Sequence, residues 1–294
     1  MKFLVSICNK NRAEGARLPG VFLFEVDPEN PRPRPVPLEH PRLLPAKGIT
    51  GLAHYGDGIL AVMQGAAQLA LLTRKYEVKA VWNLPLLKHA HSIAVAGRKA
   101  YIASTGNDSV VEFDPAEGSR VYWRHNRGEE DTIHLNSLVY RDGALYATAF
   151  GPKKGLLWSS ASGGYLANLD SGHTVISPLY HPHSACALNG EFYFCESSRM
   201  AVGRENGQRL AVGLGYTRGL VVTEARLYVG ISKGRTESVS TGQKVSNTAV
   251  PRLKASRCAV LIYRHNKSDL GKSELLGQVC LEEYGEEIYD ILPV

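Results

Sequence analysis

Long hydrophobic runs are absent from this sequence. None of its apolar segments approaches the roughly 18 consecutive residues that a membrane-spanning helix needs. The opening segment, Met1 to Cys8, has too short an apolar part for a secretory signal, and no small-residue cleavage site follows it. We therefore expect no membrane association, and we interpret the opening segment as a β-strand.

Cysteine is scarce and scattered. The chain has five cysteines and no Cys-x-x-Cys pair, which argues against a zinc–thiolate site or a redox dithiol. The odd number and the spacing favour reduced, buried thiols rather than a disulfide framework. We therefore expect a cytoplasmic protein.

Several catalytic and nucleotide-binding motifs are missing. The sequence has no phosphate-binding Gly-x-x-x-x-Gly-Lys-Ser/Thr loop, no paired-glycine dinucleotide fingerprint, no Gly-x-Ser-x-Gly elbow and no His-Glu-x-x-His. We expect no nucleotide cofactor. The formal charge of +6 over 294 residues is modest and suits an anionic small molecule or a carbohydrate. With no nucleic-acid-binding module, nucleic acid is not the expected partner.

A sequence repeat that occurs five times is the strongest feature present. Each copy has an opening residue, here called the ring position, followed by a small residue, an apolar run, a tight turn and a second apolar run. The copies begin at Thr50, His91, Asn136, His183 and Arg218, at intervals from 35 (183 to 218) to 47 (136 to 183) residues. Strand-like alternation repeated at about 40 residues predicts a β-propeller, in which each copy is one four-stranded blade.

The two ends of the chain supply parts of one more blade. Lys2–Ile7 matches the second strand of a copy, Val21–Pro28 the third, and Glu287–Leu292 the missing first strand. Pairing the last strand with the first would close the ring and remove exposed sheet edges. We therefore predict an all-β fold, a six-bladed propeller forming one domain over residues 1–294. Uneven repeat lengths leave five or seven blades as alternatives.

Two segments depart from the repeat. Asn30 to Pro45 carries six prolines and is predicted to be extended and polyproline-like, crossing between blades. Ser232 to Ser256 is a long polar stretch rich in Gly, Ser, Thr, Lys and Arg. Long loops in compact folds are commonly functional or mobile.

The ring positions of a propeller converge on its axis, so they define the candidate site. Five come from the repeats, and Glu286 is the predicted sixth if Glu286-Glu287-Ile288 aligns with Arg218-Gly219-Leu220. Two residues before these positions lies a predicted second tier. Because residues two apart share one face of a strand, these side chains are expected to lie beside the ring. The second tier comprises His89, His134, His181 and Tyr216.

Several chemistries fit this set. Imidazoles and a carboxylate can hold one divalent metal ion, and the predicted ligands are His91, His183 and Glu286. Imidazole and phenol groups can also transfer protons near neutral pH, and the predicted catalytic residues are His91, His183, His134 and Tyr216. Arg218 can clamp a carboxylate or phosphate. Asn136 and Thr50 are predicted to bind substrate. Histidines that serve only as hydrogen-bonding groups at the channel mouth are the structural alternative.

Cationic residues follow the second strands, whose loops are predicted on the same face as the ring. They are Lys153, Lys154, Arg199, Lys233 and Arg235. A cationic rim above a histidine floor favours an anionic ligand. Ordinary solvated surface charge is the alternative explanation.

The repeats, the shared terminal blade and the small residues at the strand entries resemble the six-bladed propellers grouped with gluconolactonase, NHL-repeat and strictosidine-synthase-like proteins. Gluconolactonase-type members hold a divalent cation with Glu, Asn and Asp. Glu286 and Asn136 are residue types that match these metal ligands, whereas the histidines at ring positions 91 and 183 depart from the family's ligand set. The departure favours a softer metal or metal-free acid–base chemistry. The ring is similar in kind to those of virginiamycin B lyase and oligogalacturonate lyase, propellers that use channel-face histidines in eliminations.

These observations favour an enzyme that acts on an anionic small molecule or sugar at a histidine-rich channel site. The reaction would be hydrolysis, elimination or isomerisation. The alternative is a non-catalytic propeller that binds a protein or a glycan on its top face. Three aromatic residues near one rim loop support that alternative: Phe150, Trp158 and Tyr165.

Overall fold

The computed structural model describes residues 1–8, 18, 20–125, 130–233 and 256–294. Within these ranges, almost all regular structure is β-strand, with four short 3-10 turns at Thr105–Asn107, Trp158–Ser160, Ser197–Arg199 and Leu270–Lys272. No helix in the described part of the chain is long and apolar enough to cross a membrane.

Each blade is a four-stranded antiparallel sheet. The N-terminal strands are β1 (Phe3–Cys8), β2 (Leu23–Asp27) and β3 (Asn30–Pro35). The first complete blade comprises β4 (Gly48–Tyr55), β5 (Gly58–Gln64), β6 (Gln68–Leu72) and β7 (Val78–Asn83). The second comprises β8 (Ala90–Ala96), β9 (Lys99–Ser104), β10 (Ser109–Asp114) and β11 (Gly118–Arg124).

The remaining blades follow the same order. The third comprises β12 (Leu135–Arg141), β13 (Ala144–Ala149), β14 (Gly164–Asn168) and β15 (Thr174–Leu179). The fourth comprises β16 (Pro182–Leu188), β17 (Glu191–Glu196), β18 (Ala201–Arg204) and β19 (Arg209–Ala211). The fifth comprises β20 (Tyr216–Val222), β21 (Arg226–Ser232), β22 (Ala259–Arg264) and β23 (Glu274–Cys280). The last strand is β24 (Glu287–Pro293).

The two termini share the sixth blade, as predicted. β24 pairs antiparallel with β1, from Phe3 opposite Pro293 to Cys8 opposite Glu287, and β2 and β3 follow outward. The innermost strand of every blade contacts the innermost strands of both neighbouring blades, including β20 with β24 and β24 with β4. The described strands therefore form a closed six-bladed propeller, and the five- and seven-bladed alternatives do not apply.

The proline-rich segment differs from its prediction. Its first part, β3, is the outer edge strand of the closing blade, with Phe24 opposite Pro35 and Glu25 opposite Arg34. Proline lacks the N–H that a ladder requires, so it is tolerated in a sheet only where one side has no partner strand. Alternating proline therefore fits an edge strand and also prevents a further strand from adding to the blade. The other irregular segment, 232–256, lies largely outside the described residues.

Hydrophobic clusters fill the interfaces between blades. Among the described residues there are six clusters, and each combines side chains from two neighbouring blades. At the closure, Phe3 and Ile7 of β1 and Ile288 of β24 pack with Tyr228 and Val260 of the fifth blade. Because apolar burial contributes about 25 cal/mol per Å², the six interfaces supply the main stabilisation and hold the axial ends of the blades in place.

A β-bulge lies near the ring position of every innermost strand. In β4, Ile49 pairs with Met63 and Gly51 with Val62, which leaves Thr50 as the extra residue. One-residue shifts of the same kind occur in β8, β12, β16, β20 and β24. A bulge locally twists the strand and changes the direction of a side chain. The same irregularity therefore lies at or directly beside the ring residue in every blade.

Candidate functional site

The five repeat-derived ring residues lie around one cavity on the propeller axis. Thr50, His91, Asn136, His183 and Arg218 all line a cavity of about 170 Å³. Each is buried, with 7% or less of its surface exposed. The structure therefore brings together five side chains that lie far apart in the sequence.

The closing blade contributes Tyr289 and Asp290 to the cavity instead of Glu286. Glu286 is exposed and precedes β24, and its carbonyl oxygen accepts a hydrogen bond from the N–H of Lys233 at 2.9 Å. The repeat aligns at Tyr289-Asp290-Ile291, three residues beyond the predicted alignment. Isoleucines at both 288 and 291 made either alignment compatible with the apolar pattern.

The small residue after each ring position connects neighbouring blades. Ser92 Oγ accepts from the N–H of Leu138, Ser137 Oγ from that of Ala185, and Ser184 Oγ from that of Gly219, at 2.8 to 3.1 Å. Asp290 takes the same part at the closure, where its Oδ2 accepts from the N–H of Leu52 at 2.8 Å. We call these four contacts the axial hydrogen bonds.

Two interfaces have glycine instead, because the backbones approach too closely for a side chain. A Cβ atom on Gly51 would lie 2.9 Å from the nitrogen of Ile93, and one on Gly219 would lie 2.8 Å from Cγ1 of Ile291. Gly219 also has a φ of +73°, which favours glycine. The predicted requirement for small residues thus has two causes, hydrogen bonding at serine and close packing at glycine.

The hydrogen bonds of His183 define its tautomer. Its Nδ1 lies 2.9 Å from the carbonyl oxygen of His181 and 2.7 Å from Ser197 Oγ. A carbonyl only accepts, and Ser197 Oγ donates its own proton to the carbonyl of Thr217 at 2.5 Å, so Nδ1 carries the hydrogen. Burial, reinforced by the charge of Arg218, holds the pKa of His183 well below its usual value. The ring is therefore neutral, with an unprotonated Nε2.

Two buried polar atoms of the ring have no hydrogen-bond partner among the described residues. Within the described part of the chain, no group hydrogen-bonds to His183 Nε2 or to Asn136 Nδ2. Both side chains are more than nine-tenths buried and both line the cavity. Buried polar atoms are nearly always satisfied, so these two mark positions where a ligand or water completes the structure. Thr50, by contrast, donates from Oγ1 to the carbonyl of Ala90 at 2.7 Å.

Asp290 is a carboxyl group with an altered acidity. Burial raises its pKa to about 7, even though hydrogen bonds from the N–H groups of Leu52 and Ile291 act in the opposite direction. A carboxyl group that holds a proton near neutral pH can act as a general acid. The signal that could have found Asp290 is its place in the repeat, which serine or glycine fills in the other blades.

Three of the second-tier residues form a layer on the side of the ring where the innermost strands begin, and they are not part of the cavity. His134, His181 and Tyr216 are absent from the cavity lining, which extends in the opposite direction to residues such as Leu138 and Leu220. His181 is buried and its ring stacks on Phe150 with centroids 4.4 Å apart, and Phe150 also contacts His183 at 5.1 Å.

His89 does not join this layer, because it is exposed. His89, His134 and His181 all have left-handed φ values, from 50° to 53°. The backbone two residues before these three ring positions is therefore not extended, and the expectation that residues two apart share a face does not hold for these histidines. The strands begin only after these histidines.

Hydrogen bonds around His181 connect the layer to a neighbouring loop. Burial lowers the pKa of His181 to about 4, and hydrogen bonds to the backbone at Trp158 and Ala161 oppose that shift. The neutral ring thus donates to this loop, while Tyr216 donates its hydroxyl proton to Nδ1 at 3.0 Å. His134 is held by Asp131, whose Oδ2 lies 2.9 Å from Nδ1.

Aromatic and cation–π contacts run around the axis and return to their start. The guanidinium carbon of Arg218 lies 4.3 Å from the Tyr289 ring centroid and 5.5 Å from that of Tyr216. The other centroid separations are as follows: Tyr289–His91 5.8 Å, His91–His134 5.3 Å, His134–Phe150 4.4 Å, Phe150–His183 5.1 Å and His183–Tyr216 5.4 Å. This closed set restrains Arg218 and the ring histidines.

The predicted cationic rim does not line the cavity. Lys153 Nζ lies 4.5 Å from the Trp158 ring centroid, and Arg199 stacks on Tyr180 at 3.6 Å and pairs with Glu196 at 3.8 Å. Lys154 is exposed and Lys233 half-buried, and neither is in the cavity lining. Arg235 lies outside the described residues. The described cation of the cavity is Arg218.

The predicted metal ligands are not assembled as a set. Among the described residues, no three His, Cys, Asp or Glu side chains are arranged to hold a metal ion. His91 and His183 line the cavity while Glu286 does not. Cys186 also lines the cavity, but burial raises its pKa to about 12, so its thiol stays protonated.

The sequence model of a family described as a domain of unknown function, DUF4915, matches residues 74–294. The chain belongs to the DUF4915 family. The match covers the second to fifth blades and the innermost strand of the closing blade, and so it includes every cavity residue except those of β4. No curated protein matches the sequence.

Solved structures similar to this DUF4915 chain are propellers of diverse origin. A chain from a nidogen/laminin complex superimposes with a TM-score of 0.65 at 14% identity, covering 99% of this chain and 97% of that one. A putative 6-phosphogluconolactonase from Bacteroides fragilis gives 0.55 at 11% identity, covering 99% and 97%. A streptogramin B lyase gives 0.53 at 13% identity, covering 88% and 76%. At these identities the likeness establishes the fold.

Proposed function

We propose that this chain is an enzyme that transfers a proton on a small anionic substrate in the axial cavity. The observation that carries the proposal is the neutral His183, whose Nδ1 is held by the His181 carbonyl and Ser197 and whose buried Nε2 has no protein partner among the described residues. An oriented, unprotonated imidazole nitrogen is what a general base requires.

Arg218 is assigned to the anion. It is buried, lines the cavity and lies between the rings of Tyr216 and Tyr289. A guanidinium that is fixed in orientation binds a carboxylate or phosphate through two parallel hydrogen bonds. Its position one blade from His183 would place the charged group of a substrate beside the base.

Asp290 is assigned as the acid. In an elimination, His183 Nε2 takes the proton from the carbon next to the carboxylate, and the electron pair forms the new double bond. The leaving group departs with the proton from Asp290. In an isomerisation, the same two groups remove and return a proton at neighbouring positions. Both reactions need one base and one acid in a single cavity, as His183 and Asp290 provide.

The size of the cavity restricts the substrate. About 170 Å³ is below the roughly 300 to 1,000 Å³ of typical drug-sized sites. The occurrence of a streptogramin B lyase and a putative 6-phosphogluconolactonase among similar propellers supports an enzymatic use of this fold. The proposed chemistry uses side chains of this chain alone.

The test follows carbon-bound protons in D₂O. Lactate, glycerate, malate, succinate and propanoate are each incubated with the protein, and the proton signal next to the carboxylate is followed by NMR. We expect loss of that signal for at least one acid. His183→Gln should slow the loss by about 100-fold or more, whereas His173→Gln, at an exposed histidine, should leave it unchanged. Failure of all five acids to exchange, or equal exchange by His183→Gln, would overturn the proposal.

A second candidate is a non-catalytic propeller that binds a protein partner. The observation favouring it is Leu156, which is 93% exposed on the loop that also carries the half-buried Trp158. Likeness to a propeller from a nidogen/laminin complex agrees with that use of the fold. Under this alternative Leu156→Ser would abolish partner binding and no carbon-bound proton of the five acids would exchange. Under the first proposal His183→Gln would slow that exchange and Leu156→Ser would leave it unchanged.

A further inference from the structure

Three consecutive blades present a fixed order of polar groups to the cavity. The third blade contributes the amide of Asn136, the fourth the imidazole of His183 and the fifth the guanidinium of Arg218. Their innermost strands are direct neighbours, since β16 contacts both β12 and β20. The order is therefore an amide, an acceptor and a cationic donor.

The acceptor in the middle restricts the ligand. His183 Nε2 is unprotonated because Nδ1 donates to a carbonyl, so only a group that donates a hydrogen can satisfy it. A simple carboxylate, a sulfate or a phosphate dianion offers acceptors only and would leave Nε2 unpaired beside Arg218. An anion that fits both groups must carry its own hydroxyl or amine.

The amide of Asn136 favours a hydroxyl over an amine as the donor to His183. Its Nδ2 is a buried donor without a described protein partner, and it lies one blade from His183 on the side away from Arg218. A group placed between Asn136 and His183 must accept from the first and donate to the second. A hydroxyl does both, whereas a protonated amine has no acceptor.

Neighbouring blades at the axis also restrict the distance between the two groups of the ligand. Arg218 and His183 hold adjacent ring positions, and the closed set of aromatic contacts packs both against Tyr216. A hydroxyl on the carbon next to the carboxylate gives the shortest such spacing. The cavity volume of about 170 Å³ favours the same compact molecule.

We infer that the ligand of the axial cavity is a small 2-hydroxy carboxylate, with its carboxylate on Arg218 and its hydroxyl between Asn136 and His183. The inference rests on the proposed function for the choice of cavity, and it adds the class of substrate. Nε2 accepts the hydroxyl hydrogen in the bound state, and during the reaction it is the base for the proton on the same carbon. It makes the hydroxyl, rather than the negative charge alone, the basis of selectivity.

The test compares ligands that differ only in that hydroxyl. Binding of D-lactate, L-lactate and propanoate to the full chain is measured by isothermal titration calorimetry at neutral pH. We expect one lactate enantiomer to bind at least tenfold more tightly than propanoate. Arg218→Gln should weaken lactate and propanoate by similar factors, because both use the carboxylate.

Two variants address the hydroxyl. His183→Phe and Asn136→Leu should each remove most of the preference for lactate while propanoate binding is retained, and His173→Phe should preserve the preference. Asn136→Leu still tests the hydroxyl contact if His183→Phe does not fold, because Asn136 makes none of the Nδ1 contacts of His183. Circular dichroism melts establish that each variant is folded.

The outcomes separate this inference from the proposed function. Equal affinity of propanoate and both lactates, or a preference that survives in Asn136→Leu, would overturn the substrate class even if deuterium exchange occurs. A lactate preference without exchange into any of the five acids would support the ligand assignment and contradict the proposed catalysis.

Discussion

The guanidinium carbon of Arg218 lies 4.3 Å from the centre of the Tyr289 ring, and this contact joins the fifth blade to the closing blade at the axis. Arg218 lies within the bulge of β20, between Thr217 and Leu220, and Tyr289 is the extra residue of the bulge in β24. The cation of the candidate site is therefore restrained by the strand that closes the propeller. Integrity of the closure and binding at the site are thus coupled.

The contact between Arg218 and Tyr289 predicts a specific order of variants. Tyr289→Phe keeps an aromatic face over the guanidinium, whereas Tyr289→Leu removes it. We expect Tyr289→Leu to weaken carboxylate binding by about 0.5 to 2 kcal/mol relative to Tyr289→Phe. Titration calorimetry with the best-binding acid of the panel measures the difference. Equal affinity of the two variants would mean that the aromatic face does not orient the cation.

Asp290 predicts a pH dependence of stability. Its pKa is about 7 in the folded protein against a usual value of 3.8, so the native state retains a proton that the unfolded chain has lost. The free energy of unfolding should therefore fall as pH rises from about 4 to about 7, by up to about 1.4 kcal/mol per pH unit from this group. Urea unfolding of wild type and Asp290→Asn across this range isolates the effect.

The variant should gain stability relative to wild type as pH rises through that window, because asparagine carries no proton to lose. A difference between the two proteins that stays constant with pH would contradict the assignment of Asp290. Asp114→Asn, at a carboxylate with a lowered pKa at the end of β10, is the matched control. Its difference from wild type should change in the opposite sense, below about pH 4.

The buried histidines predict lability in acid. Burial lowers the pKa of His181 to about 4 and that of His183 well below its usual value. Below about pH 6.5 these histidines bind protons in the unfolded chain but stay neutral in the native state. The free energy of unfolding should therefore fall as pH drops from about 6.5 to 4. This slope has the opposite sign to that of Asp290. His181→Gln and His183→Gln should each reduce it, and His173→Gln should not.

The axial hydrogen bonds predict a cost for removing a single hydroxyl. In Ser184→Ala the N–H of Gly219 loses its acceptor at a buried position, and we expect a loss of about 1 to 3 kcal/mol in the free energy of unfolding. Ser137→Ala removes the acceptor for Ala185 and should cost a similar amount. Urea unfolding with the exposed Ser171→Ala as control measures both. Losses no greater than that of the control would show that these hydroxyls do not hold the blades.

The gluconolactonase, NHL-repeat and strictosidine-synthase-like resemblance holds at the level of the fold. Similar solved structures are propellers, and the DUF4915 match adds a family whose activity is undefined. The fold class, the number of blades and the terminal closure follow from the repeat, and the structure confirms them. These features were accessible because strand alternation and turn residues are local properties of the sequence.

Details at the axis were less accessible. The upstream histidines adopt left-handed backbone conformations, so alternation could not place His89, which is exposed. The sixth ring position fell at Tyr289 rather than Glu286 because the apolar pattern fits two alignments. Ser197 and Phe150 contact His183 from other strands and loops, and no local pattern signals such contacts.

The repeat in the sequence was enough to predict that six sheets surround one axis and that histidines, an arginine and an asparagine meet there. The repeat period determines both the number of sheets and the convergence of these residues, since each copy must bury its apolar faces against its neighbours. Which nitrogen of His183 is unprotonated, and the rise of the Asp290 pKa to about 7, follow from the folded arrangement alone. Both depend on hydrogen-bond partners and burial supplied by residues distant in the chain, and these exist only once the ring is closed.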